Sequence, residues 1–338
     1  MTVLSEPLTA DETGRPPAAE GQGRTQPLSS EQRTDVTILM GVWNGAEHLK
    51  AQLASFEAQT FRNWWLMASD DGSSDGSRGI LRDFAESLPE GRVMLVDGPR
   101  CGFSGNYLSM MARLPQDPGW LAFSDQDDIW LPDRLERGIH ALAGMTGPAI
   151  YCSTTWVTNH DMTDRRLSRG CPRQPGFRHA LVQNVVAGNT MLCNAAAGRI
   201  LAAAARRTEG IVAHDWWAYQ VITGAGGQVI FDTEPTVLYR QHGRNAIGAN
   251  DGLRAKMRRL RLLMQGTMAR WTETNLAALE AAKPWLTEES RAQLRELVAL
   301  RQSSGPLNRL RRLRALGLYR QTKSSTVALW VAVALRRL

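Results

Sequence analysis

The stretch "DVTILMGVWNGAEHLKAQLASFEAQTFRNWWLMASDD", Asp35 to Asp71, decides the fold class. Its first eight residues are apolar and β-branched almost throughout, the pattern of a strand buried on both faces. Leu49, Leu53 and Phe56 then recur at helical spacing. A second apolar run, "WWLMAS", ends abruptly at Asp70 and Asp71 in a Gly/Ser loop. Strand, helix and strand at this length predict a parallel crossover unit.

The rhythm continues. A helix in "GILRDFAESL", a strand in "RVMLVD", a helix in "NYLSMMARL" and a strand in "WLAFSD" follow in order. The chain is therefore expected to be an α/β protein with a mostly parallel sheet flanked by helices. In such sheets ligands bind beyond the carboxyl ends of the strands. The polar clusters fall there in sequence: Trp43 and Asn44, then Asp70 and Asp71, then "GPRCGFSGN", then Asp125 to Asp128. Farther on, "AIYCS", "VVAGNTMLCN", "QVIFD" and "TVLYRQ" read as strands, with helices near 195–206 and 215–223.

The fourth cluster raises the sharpest chemical question. "LAFSDQDDIWLPD" (121–133) packs three carboxylates into four positions, which repel one another unless a cation is expected. In extended chain Asp125 and Asp127 share a face, about 6.6 Å apart along the strand. Two hard oxygen ligands with open positions beyond them suit Mg²⁺ or Mn²⁺. Asp128 or Asp133 is a candidate cap for the helix that follows Pro132.

Composition excludes other classes. The four cysteines stand apart, with no C-x-x-C pair, so neither a zinc framework nor a disulfide scaffold is expected. Residues 1–34 contain no aromatic residue and read as a disordered leader without a secretory signal. "TVALWVAVAL" (326–335) is too short for a membrane span. The net charge of +7 is uneven: residues 251–338 hold 18 Lys/Arg against 6 Asp/Glu. These features favour a cytoplasmic protein with a basic helical extension over 249–338.

"VWNGAEHLKAQLASFEAQTF", "SDDGSSDGS", "CGFSGN", "FSDQDDIWLPDRL", "GNTMLCN", "HDWW" and "YRQHGRNAIG" occur in this order. Together they resemble family 2 glycosyltransferases of the GT-A fold, most closely the rhamnosyltransferase-like branch of bacterial surface polysaccharide synthesis. The resemblance spans residues 35–248, taken as the catalytic domain. It implies an inverting, metal-dependent transfer of a sugar, L-rhamnose being one candidate, from a dTDP- or UDP-linked donor to a glycan or lipid-linked acceptor.

The resemblance also assigns roles. Val42, Trp43, Asn44 and Asp70 would form the nucleotide pocket, with Asp71 supporting that loop and Gly102, Asn106 and Asp125 completing the donor side. Asp125, Asp127 and His242 would hold the metal. Asp215 matches the catalytic base, with a helix N-cap as its structural alternative. Asn189, Thr190, His214 and Trp216 would shape the acceptor side, and Arg240 and Arg244 are candidate phosphate contacts. "VWN" departs from the family's usual Thr-Tyr-Asn or Pro-x-Tyr-Asn, so base preference does not carry over.

The basic "PLNRLRRLRALGLYRQTKSS" (306–325) suits an anionic membrane surface, and no nucleic-acid partner is expected. Two competing readings are a non-catalytic glycan- or polyanion-binding module on a degenerate GT-A fold, and a nucleotidyltransferase. The second lacks a Gly-rich, basic triphosphate loop after the first strand.

Overall fold

The computed structural model describes residues 35–241 and 266–338. The central sheet is built by β1 (Val36–Val42), β2 (Trp64–Asp70), β3 (Val93–Asp97), β4 (Trp120–Ser124), β6 (Ala149–Ser153), β9 (Leu192–Cys193) and β10 (Gln228–Asp232). Its strand order is β10-β6-β9-β4-β1-β2-β3, parallel except where β9 runs against β4 and β6. The crossover helices are α1 (Ala46–Glu57), α2 (Ser77–Glu86) and α3 (Gly102–Arg113).

Register sets the site. Val42 pairs with Asp70, Asp70 with Asp97, and Met40 with Ser124. The loops after β1, β2, β3 and β4 therefore leave the same edge of the sheet, as the polar clusters imply. The strand order reverses between β1 and β4, which puts the crevice between Trp43 and Asp125.

Alternation along the strands divides the core. Leu39, Met67, Val96 and Phe123 face one buried cluster; Ile38, Met40, Leu66 and Ala122 face the other. The second cluster is closed by α1 and by α4 (Arg134–Leu142). The first is closed by α3, α5 (Phe177–Ala180), α6 (Ala195–Ala205) and α7 (His214–Gly224).

A smaller sheet beside the site joins β5 (Ile129–Trp130), β7 (Trp156–Thr158), β8 (Arg165–Leu167) and β11 (Val237–Arg240), in the order β5-β11-β7-β8. One reading is corrected here: "VVAGNTMLCN" is not a long strand. It forms a 3-10 turn at Gly188–Thr190 followed by the two residues of β9.

The C-terminal helices are α8 (Thr267–Ala281), α9 (Glu288–Gln302), α10 (Pro306–Leu316) and α11 (Lys323–Ala334). Leu279, Leu297, Leu313 and Leu329 join the same cluster as Trp217 and Ile222 of α7. Arg309 is withdrawn from the basic face: its guanidinium caps the end of α11, donating to the carbonyls of Val333 (2.9 Å) and Ala334 (2.6 Å). No helix among the described residues is long and apolar enough to cross a membrane.

Candidate active site

The acids after β4 separate by direction. Asp128 is fully buried and turned inward, where Oδ2 accepts from Asn189 Nδ2 at 2.6 Å and Oδ1 from the Arg240 amide at 3.1 Å. Asp125 and Asp127, two apart, lie on the more open side. Asp133 is the N-cap residue of α4 but makes no side-chain cap bond. Burial and the neighbouring charges of Asp127 and Asp215 push the Asp125 carboxyl up to about 7. Burial first, and then Asp127 and Asp125, hold Asp128 far above the usual carboxylate range. Carboxylates raised in this way, as Asp125 and Asp128 are, are held by the fold against burial and repulsion.

Asp215 supplies the opposite wall. It is the second residue of α7, whose N-cap is Ala213, so the capping alternative is not what the structure shows. Its Oδ1 accepts from the Trp216 amide at 2.6 Å and its Oδ2 from the Gly188 amide at 3.2 Å. Burial nevertheless raises it to about 6, against the opposing pull of these bonds and of the Asn184 side chain. Its charge is among those felt by Asp125, so the two carboxylates belong to one site. Gly188 permits this approach: a Cβ there would lie 2.5 Å from His214 Nε2.

Four residues expected on the acceptor side are committed elsewhere. Asn189 holds Asp128, and Thr190 is fully buried, donating from Oγ1 to the Ala187 carbonyl at 2.9 Å. His214 stacks on Tyr107 with centroids 3.8 Å apart, and neither ring nitrogen has a hydrogen-bond partner. Burial depresses its pKa to about 3, so it packs as a neutral ring. Trp216 donates from Nε1 to the Ala180 carbonyl at 2.7 Å and meets Trp271 edge-on. Asn189, Thr190 and His214 are buried and support the site from behind, whereas Trp216 is half-buried beside Asp215.

On the nucleotide side the loops brace one another. Trp43 is 61% exposed, while its backbone is clamped by Gln126, which accepts from the Trp43 amide (2.7 Å) and donates to its carbonyl (3.0 Å). Asn44 adopts a left-handed conformation (φ 49°) and accepts from the Ser74 amide at 2.8 Å. Asp70 is ion-paired with Arg78 Nε at 3.0 Å and accepts from the Ser73 amide at 3.1 Å. Asp71 accepts from the amides of Arg100 (2.6 Å) and Gly102 (2.8 Å), tying the loop after β2 to the start of α3. Asn106 is buried beneath, accepting from Ser69 Oγ at 2.5 Å and donating to the Ser69 carbonyl at 3.0 Å. It supports the loop from inside and offers the donor no exposed atom.

Two side chains carry more of the site than sequence reading suggested. Gln126 joins the loop after β4 to the loop after β1. Arg134 is buried under the site, stacked over Trp130 at 3.4 Å, with Nη2 donating to the carbonyls of Phe123 (3.1 Å) and Asn189 (2.9 Å). Arg240 contacts chain, donating from Nε to the Asp127 carbonyl at 3.1 Å. His242 and Arg244 lie outside the described residues. The carboxylate donor set at Asp125 and Asp127, with its mutual repulsion, fits a hard divalent cation. Among the described residues, the only three-residue group with all ligand atoms within 4.8 Å of one another lies elsewhere, at Glu47, His48 and His160.

Residues 37–202 match the family model described as Glycosyl transferase family 2. The chain carries a family 2 glycosyltransferase domain. It is 26% identical over 232 residues to the dTDP-rhamnosyl transferase RfbG of Shigella flexneri, covering 66% of this chain and 78% of that protein. It is 30% identical over 130 residues to the UDP-Glc:alpha-D-GlcNAc-diphosphoundecaprenol beta-1,3-glucosyltransferase WfgD of Escherichia coli, covering 38% of this chain and 49% of the relative. Among solved structures it is similar to TarS residues 1–349 of S. aureus, with a TM-score of 0.50 at 11% identity over 77% of this chain and 69% of that one. That likeness concerns the fold alone, and it places the family 2 domain in the GT-A architecture.

Proposed function

We propose that the chain is an inverting glycosyltransferase that moves a deoxyhexose, L-rhamnose foremost, from a nucleoside-diphosphate donor to a hydroxyl of a glycan or lipid-linked acceptor. The observation that carries this reading is Asp215, a carboxylate raised to about 6, sharing a site with the acids after β4 at the β1/β4 crevice. Asp215 would accept the acceptor's proton as its oxygen attacks the anomeric carbon. Gly188 N–H and Trp216 N–H orient that carboxylate. Asp125 and Asp127, with His242 as the proposed third ligand, would hold Mg²⁺ or Mn²⁺, which neutralises the departing diphosphate when bound. Trp43 presents its ring to the nucleotide side, and Asp70 accepts from the base. The 26% likeness to a rhamnosyl transferase over most of that relative supports the sugar class.

The test is a transfer assay offering dTDP-rhamnose and UDP-glucose with Mn²⁺. Turnover of dTDP-rhamnose, lost in Asp127→Asn with folding intact, is the expected result. Donor hydrolysis or transfer at the wild-type rate in that variant would remove the metal assignment. Turnover of neither donor by the wild type would favour the binding-module reading.

The acceptor side of the proposal includes a membrane surface. Val327, Val331 and Leu335 are exposed at spacings of four along α11, with Lys323, Arg336 and Arg337 exposed at its ends. Flotation with anionic but not neutral liposomes is expected; no flotation with either rejects peripheral attachment.

A further inference from the structure

Away from the acids of the crevice, three side chains from two separate parts of the fold meet at the surface. Glu47 and His48 occupy the first turn of α1, directly after the Trp43–Gly45 loop. His160 comes from the turn between β7 and β8. The ligand atoms of all three lie within 4.8 Å of one another, with His160 Nε2 2.9 Å and His48 Nε2 3.9 Å from Glu47 Oε1. A tetrahedral zinc ion at usual bond lengths would set its ligand atoms about 3.3 Å apart, so small side-chain rotations close this set.

The surroundings of His160 are those of a ligand. Its Nδ1 lies 3.1 Å from Asp161 Oδ1, and a donor bond there leaves the Nε2 lone pair facing the Glu47 carboxylate. A lone pair and a carboxylate at that separation require a cation between them, a proton or a metal. A carboxylate behind the distal nitrogen is the usual orienting partner of a metal-bound imidazole. The turn is also prearranged: Asn159 Oδ1 accepts from the Thr163 amide at 2.9 Å, and the Arg240 guanidinium donates to the His160 carbonyl.

We propose that Glu47, His48 and His160 form a second cation site that takes a borderline ion such as Zn²⁺ and pins the start of α1 to the β7–β8 turn. Two imidazoles and one carboxylate prefer such an ion to Mg²⁺. Arg240 bridges the carbonyls of His160 and Asp127, so a cation here stiffens the wall that carries Asp127 and, through α1, the loop that carries Trp43.

The test uses the full, untagged, metal-free chain. Titration with Co²⁺ is expected to give the visible bands of a four-coordinate nitrogen-containing site, displaced by Zn²⁺ and not by Mg²⁺. Zn²⁺ at about a hundredfold excess over its Kd should raise the Tm by roughly 3–5 °C. His160 is exposed, so His160→Gln should fold normally and lose both signals; His48→Gln should do the same, and Asp127→Asn should keep them. Unchanged Co²⁺ bands in His160→Gln, or their loss in Asp127→Asn alone, would overturn the proposal by assigning the ion to the crevice.

Discussion

The loops after β2 and β4 begin alike, Ser69-Asp70-Asp71 and Ser124-Asp125, with further acids following in each, yet the fold treats their carboxylates differently. Asp70 and Asp71 are answered locally: a guanidinium and an amide for the first, two amides for the second. After β4 Asp128 is answered by an asparagine amide and a backbone amide, whereas Asp125 lies half-buried beside the charges of Asp127 and Asp215. The first group spends its charge on shaping a loop. The second stores repulsion that a bound cation or proton would relieve. Acidity in a strand-end loop is therefore weak evidence for chemistry until the partners are known.

The largest effect should come from the carboxylate that ends this contrast. Asp215→Asn keeps the shape and the amide contacts but removes the base. Transfer is expected to fall about 10²–10⁴-fold in kcat, the usual span for general-base catalysis. Donor affinity, measured by calorimetry, should be unchanged. Weakened donor binding with preserved kcat would make Asp215 a structural residue, like Asp71.

How much of this was legible before the structure follows from the same contrast. The sheet was readable because its strands are buried on both faces, and "VTILMGV" and "WWLMAS" leave no other assignment. The convergence of four polar loops was readable because parallel register follows from crossover units. The partners were not. Gln126 reaches Trp43 across 83 residues, Asp128 reaches Asn189 across 61, and no spacing rule links such pairs. The turn at Gly188–Thr190 was misread as strand because "VVAGNTMLCN" is rich in strand formers. Its Gly-Asn pair was the available signal, since glycine there lets the backbone approach His214 and Asp215. Asn106 and Thr190 stand in motifs that suggested ligand contact, and both are buried supports.

The stored repulsion has a pH signature. Asp125 and Asp215 are raised from an ordinary value of 3.8 to about 7 and about 6. The folded metal-free chain therefore binds protons more tightly than the unfolded one. The stability these groups contribute is fully present below pH 4 and is lost as pH rises through 6 to 7. The Tm of the metal-free protein should accordingly fall between pH 5.5 and 8, by an amount on the order of 2–4 kcal/mol in stability. Asp125→Asn should flatten this decline, as should saturating Mn²⁺. A stability profile that rises over the same interval would show that the acids after β4 are as well compensated as those after β2.

The smallest and most discriminating effects lie within the compensated loop. Asp71→Ala removes the carboxylate that the partly buried amides of Arg100 and Gly102 donate to, at a cost of about 1–3 kcal/mol and a lower Tm. Arg78 is half exposed, and its pairing with Asp70 should be worth no more than about 1 kcal/mol. Arg78→Ala should therefore scarcely move the Tm. It does change the carboxylate proposed to receive the base, so the donor KM should rise several-fold at constant kcat. If Arg78→Ala instead lowers the Tm as far as Asp71→Ala and leaves KM untouched, Asp70 shapes the loop as Asp71 does, and base recognition belongs to Trp43 and its neighbours.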